Sequence, residues 1–334
     1  HILEDISINN SIDDMLVDHE GNFWFVSSRQ GVMKIVEDRF FDVSKKAGMD
    51  AMVVNSTCCF DGKIYIGTDT GLRILDRITY KEISNDLTKK LDGVRIRCIT
   101  KDGDDNLWFS TYNGDIGVLK YSKEGEISTI DDKDGLLSNW VRSTRVLSDG
   151  RIAVAASGGL NIISDDRVVE TYDSSDGIKN TEILTICEGP SGELYLGSDG
   201  DGIYVVKNGA VSRIGEEDGL PAEVVLRIKY DPEREVYWVI TSSSIAVMKD
   251  GHAEKIKEFP YSNNFDLYYD ENGNIWVLSS NGIYVADGGE MAANGDFDYR
   301  HFDSGSGLGC VATANSWSDL TKDGTLYIAG STGV

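Results

Sequence analysis

One hairpin, written repeatedly, constrains this chain more than any other feature. The stretch DENGNIWVLSSNGIYV (270–285) joins an acidic turn to an aromatic strand, a small turn and a second strand. Relatives of it run the whole length, among them DHEGNFWFVSSRQGVMKI, KDGDDNLWFSTYNGDIGVL, GPSGELYLGSDGDGIYVV and TKDGTLYIAGSTGV. Aligned on the residue that follows the aromatic strand and its turn, the anchors are Gly31, Gly71, Gly114, Gly159, Gly202, Ser244, Gly282 and Gly333, at spacings of 38 to 51 residues. A period of roughly 40–50 residues with strand–turn–strand content is the signature of a propeller blade, a unit that buries its faces only against its neighbours.

Each unit reads as four short strands. An inner strand (94–100) ends at the acidic turn, the aromatic strand (107–110) returns, a third strand (282–285) runs out, and a weaker fourth (168–172) follows. Asp/Asn-Gly turns suit such hairpins because Gly and Asn tolerate positive φ. Strand positions hold Val, Ile, Leu, Tyr and Trp, with no helical periodicity of useful length. The aromatic position recurs as Trp24, Tyr65, Trp108, Tyr195, Trp238, Trp276 and Tyr327, with Ala153 in the fourth unit. One large side chain per blade is expected to pack between blades rather than to form a row of sugar platforms. The expected fold is all-β: a β-propeller of four-stranded antiparallel blades, eight favoured over seven. Residues 1–334 form one domain of seven complete repeats plus a partial eighth, read as excised from a longer receptor. The opening HILEDISINN resembles the fourth-strand segment HAEKIKEFPYSNN, so an N-terminal strand is expected to complete the C-terminal blade and close the ring.

Charge narrows the partners. With 32 basic and 56 acidic residues the net charge is −24, which repels phosphate backbones and argues against nucleic acid. No stretch reaches the length of a membrane helix. Five cysteines (Cys58, Cys59, Cys98, Cys187, Cys310) fit no zinc or redox spacing, and the first four fall on inner strands, where they read as small buried hydrophobes.

The repeats resemble the two-component regulator propeller repeat. The resemblance rests on the segments KDGLLSN (133–139), SSDGIKN (174–180), EEDGLPAE (216–223) and GSGLGC (305–310), and on cores such as DHEGNFWFVS, DENGNIWVLS and GKIYIGTDTGLRIL. It covers nearly the whole chain, with departures at Ala153 and Ser244. It implies an extracytoplasmic sensor, periplasmic or at the cell surface, with a cytoplasmic place as the alternative. It further implies a membrane helix and a kinase or cyclase output domain in the full-length protein, a ligand that is often an oligosaccharide, and a homodimer as one arrangement.

Candidate chemistry is sparse. His1 is terminal, His19 lies in an acidic turn, and His252 and His301 lie in outer strands, so a histidine base or metal cage at the channel is not expected. DGDDN (102–106) begins like a calcium loop through Asp102, Asp104 and Asn106 but lacks the distal ligands, so it reads as a solvated turn. Catalytic residues, metals and cofactors are not expected. Binding is expected at one mouth of the channel, through segments leading into the inner strands. Those segments carry Asn139, Trp140 and Arg142 in SNWVRSTR, Arg97 beside Arg95 in GVRIRC, Arg227 in VVLRIK and Trp317 in TANSWSD. Tryptophan beside arginine and asparagine suits a sugar face or a carboxylate. Structural pairing of the arginines, and of Arg145, with Asp13, Asp14, Glu182 or Asp266 across the channel is the competing expectation. The function expected is non-catalytic sensing of a small molecule or oligosaccharide, with a propeller lyase or glycosidase, or a protein-interaction scaffold, as alternatives.

Overall fold

The computed structural model describes residues 12–18, 22–35 and 39–334. Their strands form eight sheets in chain order, five of four strands, two of three and one of two. Within each sheet successive strands are antiparallel neighbours, as in the seventh: Asn264–Tyr269, Asn274–Ser279, Gly282–Asp287 and Tyr299–Phe302.

Eight sheets are present, as the repeat count favours, but the closed circuit uses the second to the eighth. The join runs from the eighth sheet straight to the second: Trp317 N–H donates to Asn55 O at 2.7 Å, Thr57 N–H to Trp317 O at 3.0 Å, and Val54 N–H to Gly330 O at 2.9 Å. The first sheet (14–35) stands outside that circuit, and all four residues of its Asp14–Val17 strand are exposed. Early and late parts of the chain do meet at the closure, through Val43 N–H on Val334 O at 2.9 Å. Residues 1–10, the segment expected to close the ring, and His1 and His19 lie outside the described residues.

Recurrent side-chain bonds explain the repeat. In Asp-x-x-x-Asn-x-Trp, one aspartate holds the whole turn: Asp102 Oδ1 accepts from the N–H of Asp104 and Asn106, and Oδ2 from Asn106 Nδ2 and Trp108 Nε1, all within 2.8–3.0 Å. Asp270 does the same for Asn272, Asn274 and Trp276. Burial raises these carboxyls, but the donated hydrogen bonds outweigh it and hold Asp102 and Asp270 below the usual aspartate range. Trp108 and Trp238 pack between blades as expected, being 3% and 0% exposed, whereas Trp24 and Trp276 are half-buried.

The Ser/Thr that ends the aromatic strand donates to the carbonyl of the anchor glycine, as Thr68 does to Gly71, Ser198 to Gly202 and Ser279 to Gly282. By this bond the anchor of the third sheet is Gly117 rather than Gly114, since Thr111 Oγ1 donates to Gly117 O at 2.8 Å. Gly117 has φ +72° and a side-chain carbon there would lie 2.5 Å from Ile130 O, so only glycine fits. The Asp-Gly-Leu/Ile segments are single 3₁₀ turns closed by left-handed Gly135, Gly177 and Gly219, which drop Leu136, Ile178 and Leu220 into the core.

Candidate ligand site

The inner strands of the second to seventh sheets each carry a β-bulge near their start. Register slips between Val54 and Ser56, Ile96 and Cys98, Val141 and Ser143, Ile183 and Thr185, Val225 and Arg227, and Asn264 and Asp266. The residue left over in each case is Asn55, Arg97, Arg142, Leu184, Leu226 or Phe265. A bulge re-aims a side chain without ending the strand. Four of these residues, Arg97, Arg142, Leu184 and Leu226, line a cavity of about 190 Å³ at the channel mouth, with Asp199, Arg227, Ala314, Asn315 and Trp317. That volume is below the range of about 300–1,000 Å³ typical of drug-sized ligands, so it suits one sugar ring or one small acid.

The arginines divide sharply by what holds them. Arg227 is structural: 3% exposed at the side chain, it lies 3.3 Å from Asp266 through Nε, donates through Nη2 to Ser316 O at 2.7 Å, and its guanidinium stacks 3.6 Å over Trp317. Asp266 also meets Lys229 at 2.7 Å and accepts from Tyr268 at 2.9 Å. Burial pushes the Asp266 carboxyl up, but Lys229 and Arg227 hold it below the usual range. Arg142 pairs with Glu182 at 3.1 Å, and Arg95 with Asp69 at 2.9 Å. Glu182 and Asp266 do pair with arginines, but each pair joins neighbouring sheets rather than opposite sides of the channel. Asp13 and Asp14 instead accept from the N–H groups of Ser28 and Met15, and Arg145 is exposed.

Arg97 is different. It forms no ion pair among the described residues, and its Nε, like that of Arg227, is buried without a hydrogen-bond partner. Burial, then Arg95 and Arg142, push the Arg97 guanidinium below the usual arginine range, which marks a cation held in an unfavourable place. Its guanidinium lies 4.8 Å from the ring of Tyr112, and that of Arg142 lies 5.2 Å from the same ring. Tyr112 in turn meets Trp140 edge-on at 4.9 Å, and Trp140 is 44% exposed. Arg97, Arg142, Tyr112 and Trp140 therefore form one cluster, while Arg227 and Trp317 belong to the opposite wall. Asn139 faces the other way: it is 8% exposed, accepts from Asp132 N–H and donates to Gly114 O, so it ties two loops together.

Tyr112, Leu184, Leu226, Asp199 and Asn315 were not singled out by the sequence. Tyr112 sits in a turn position whose residue type varies between repeats, and the bulge residues share no chemistry. No group of three or more His, Cys, Asp or Glu side chains among the described residues could hold a metal. His252 and His301 lie on fourth strands, His301 bonded to Asn281 O and stacked on Tyr284. All five cysteines are free; burial pushes Cys59 up to about 12 and Cys310 to about 11. Among the described residues no helix is long and apolar enough to cross a membrane.

Residues 90–113 match the family model described as two component regulator propeller. No curated protein matches the sequence. Among solved structures, the chain superposes on the extracellular domain of BT3049 from B. thetaiotaomicron, described as a hybrid two component system, with TM-score 0.74 and 20% identity, covering 98% of this chain and 45% of that one. The extracellular domain of BT4673 from the same organism gives TM-score 0.71 and 18% identity, covering 98% and 46%. The chain thus spans about half the length of these two structures. A catalytically inactive virginiamycin B lyase from Staphylococcus aureus with quinupristin gives TM-score 0.64 and 15% identity, covering 87% and 96%. At these identities the likeness is one of fold. The chain thus matches the two-component regulator propeller model over residues 90–113 and shares a propeller fold with these extracellular domains.

Proposed function

We propose that this chain is a non-catalytic sensor propeller of a bacterial membrane receptor, exposed outside the cytoplasm, and that it binds a small acid or a carboxylate-bearing oligosaccharide at the channel mouth. The observation that carries the reading is Arg97: a guanidinium without an ion pair among the described residues, crowded by Arg95 and Arg142, in a chain of net charge −24. A protein this acidic has ample carboxylates to neutralise three arginines, and it leaves this one for another partner. Tyr112 and Trp140 beside it offer aromatic edges to a sugar ring, and Leu184 and Leu226 an apolar floor. Bound ligand would favour one arrangement of the receptor over another in proportion to its differential affinity, and so drive an output domain across the membrane.

The test is titration calorimetry with a panel of uronic-acid and neutral oligosaccharides of matched length. Acidic members are expected to bind and neutral ones to bind at least tenfold more weakly. Arg97→Ala is expected to weaken binding by about 1.5–3 kcal/mol, the worth of a charged hydrogen bond, with no loss of thermal stability. Equal binding of neutral and acidic sugars, or an Arg97→Ala variant of unchanged affinity, overturns the proposal.

A further inference from the structure

The turn after each aromatic strand sets one residue at the channel mouth, and the backbone holds that residue alike from sheet to sheet. Tyr112, Ser157, Asp199, Ser242 and Ser280 each donate their N–H to the carbonyl of the residue just before the inner strand, as Asp199 does to Glu182 O at 3.0 Å. Asp69 follows Thr68 in the second sheet as Asp199 follows Ser198 in the fifth. These two carboxylates in equivalent places are held differently. Asp69 is committed, with Arg95 at 2.9 Å and Asn55 Nδ2 donating at 2.9 Å. Asp199 is fixed through its backbone, its carbonyl accepting from Asn180 Nδ2 at 2.6 Å, yet its carboxylate has no ion pair and no hydrogen bond among the described residues. A solvated acid is ordinary in a chain with 56 of them; Asp199 differs in lining the cavity that Arg97 lines.

An unpaired cation and an unpaired anion therefore share one cavity of about 190 Å³. The fold keeps them apart: Arg97 stands on the third sheet and Asp199 on the fifth, and the fourth lies between them in chain order. In that interval Arg142 and Glu182 pair with each other at 3.1 Å, so neither is free to neutralise Arg97 or Asp199. Two opposite charges that line one small cavity without meeting are matched by a solute that carries both. A carboxylate only accepts hydrogen bonds and an ammonium only donates them, so each end of such a solute has one place to go. A zwitterion also approaches a chain of net charge −24 without the repulsion that a plain anion meets. Leu184 and Leu226 supply apolar surface in the same cavity.

We propose that the acid bound at the mouth is an amino acid with an apolar side chain. Arg97 takes its carboxylate, Asp199 its ammonium, and Leu184 and Leu226 meet its side chain. The inference rests on the acid-binding reading above and narrows it, making Asp199 the residue that sets specificity. A plain acid of the same skeleton still reaches Arg97 but leaves Asp199 without a partner.

The test is titration calorimetry of the 334-residue chain with valine, leucine and phenylalanine. Each is set beside the acid of the same skeleton without the ammonium: isovalerate, isocaproate and hydrocinnamate. In at least one pair the amino acid is expected to bind about tenfold tighter, the lower end of what a charged hydrogen bond contributes. Asp199→Asn is expected to erase that difference by weakening the amino acid alone. It should leave the thermal midpoint unchanged, because the Asp199 carboxylate bonds nothing in the fold. Arg97→Ala is expected to weaken both members of the pair. Equal binding within every pair overturns the proposal and leaves the acid-binding reading in place. So does a preference that survives Asp199→Asn, or binding of uronic acids with none of the amino acids. Failure of every acid, amino or not, overturns the proposal together with the reading beneath it.

Discussion

Asp266→Asn tests the buried ion cluster at the base of the mouth. Asp266 is 1% exposed, with Lys229 at 2.7 Å, Arg227 at 3.3 Å and Tyr268 at 2.9 Å, and it accepts from Leu267 N–H at 2.8 Å. Asparagine keeps the shape but removes the only carboxylate paired with Arg227 among the described residues, leaving a guanidinium that is 3% exposed. Removing one partner of a buried pair costs about 3–5 kcal/mol, because the remaining charge stays desolvated and uncompensated. Against a typical domain stability of about 5–15 kcal/mol this is a large share. Urea unfolding at pH 7 should therefore show a lower midpoint at unchanged m-value. Adding Lys229→Met should restore part of the loss by removing one of the two stranded cations. The pH dependence follows from the same geometry. The folded carboxyl lies below its ordinary value, so its contribution is fully present above about pH 4 and is lost as pH falls through the folded value. Asp266→Asn should accordingly unfold less steeply on the acid side than the parent chain. A cost under about 1 kcal/mol, or no rescue by Lys229→Met, would refute the assignment of this cluster as a net stabilising unit.

Two further outcomes follow from the repeat. Asp102→Ala strips four donors of their acceptor and strands Trp108 Nε1 in the core, so urea unfolding should show a loss of about 2–3 kcal/mol. Asp270→Ala should cost less, because water reaches the half-buried Trp276. In thiol titration at pH 8 the native chain should react slowly at every cysteine, since burial raises the thiols of Cys58, Cys59, Cys98, Cys187 and Cys310, and denaturant should release all five.

The architecture was legible because it is written in residue types that few other folds need. An aromatic every 40 or so residues, with an acidic turn before it and a glycine after it, admits little besides stacked blades. The hydrogen bonds behind that code were not legible: Trp276 reads as packing, and its bond to Asp270 is visible only in three dimensions. The circuit was harder still, since nothing in the sequence of 12–35 distinguishes a repeat inside the ring from one beside it. At the mouth, Arg97, Arg142 and Trp140 were found as charge and aromaticity against an acidic background. That the Asn139 amide ties two loops and that Arg227 is held in a buried ion pair are visible only in three dimensions. Leu184 and Leu226 escaped because a register slip depends on backbone pairing and leaves no mark in side-chain type.

That slip has an evolutionary consequence. A residue displaced by a bulge contributes little to the ladder on either side, so exchanging it leaves strand pairing and blade packing intact. Arg97, Arg142 and Leu184 are thus letters that can be rewritten one at a time, whereas Asn55, bonded to Asp69 and Ile96 O, and Leu226 and Phe265, packed against core clusters, belong to the frame. A lineage carrying this ring could change the chemistry of its channel mouth by point substitution, without ever passing through an unfolded intermediate sequence.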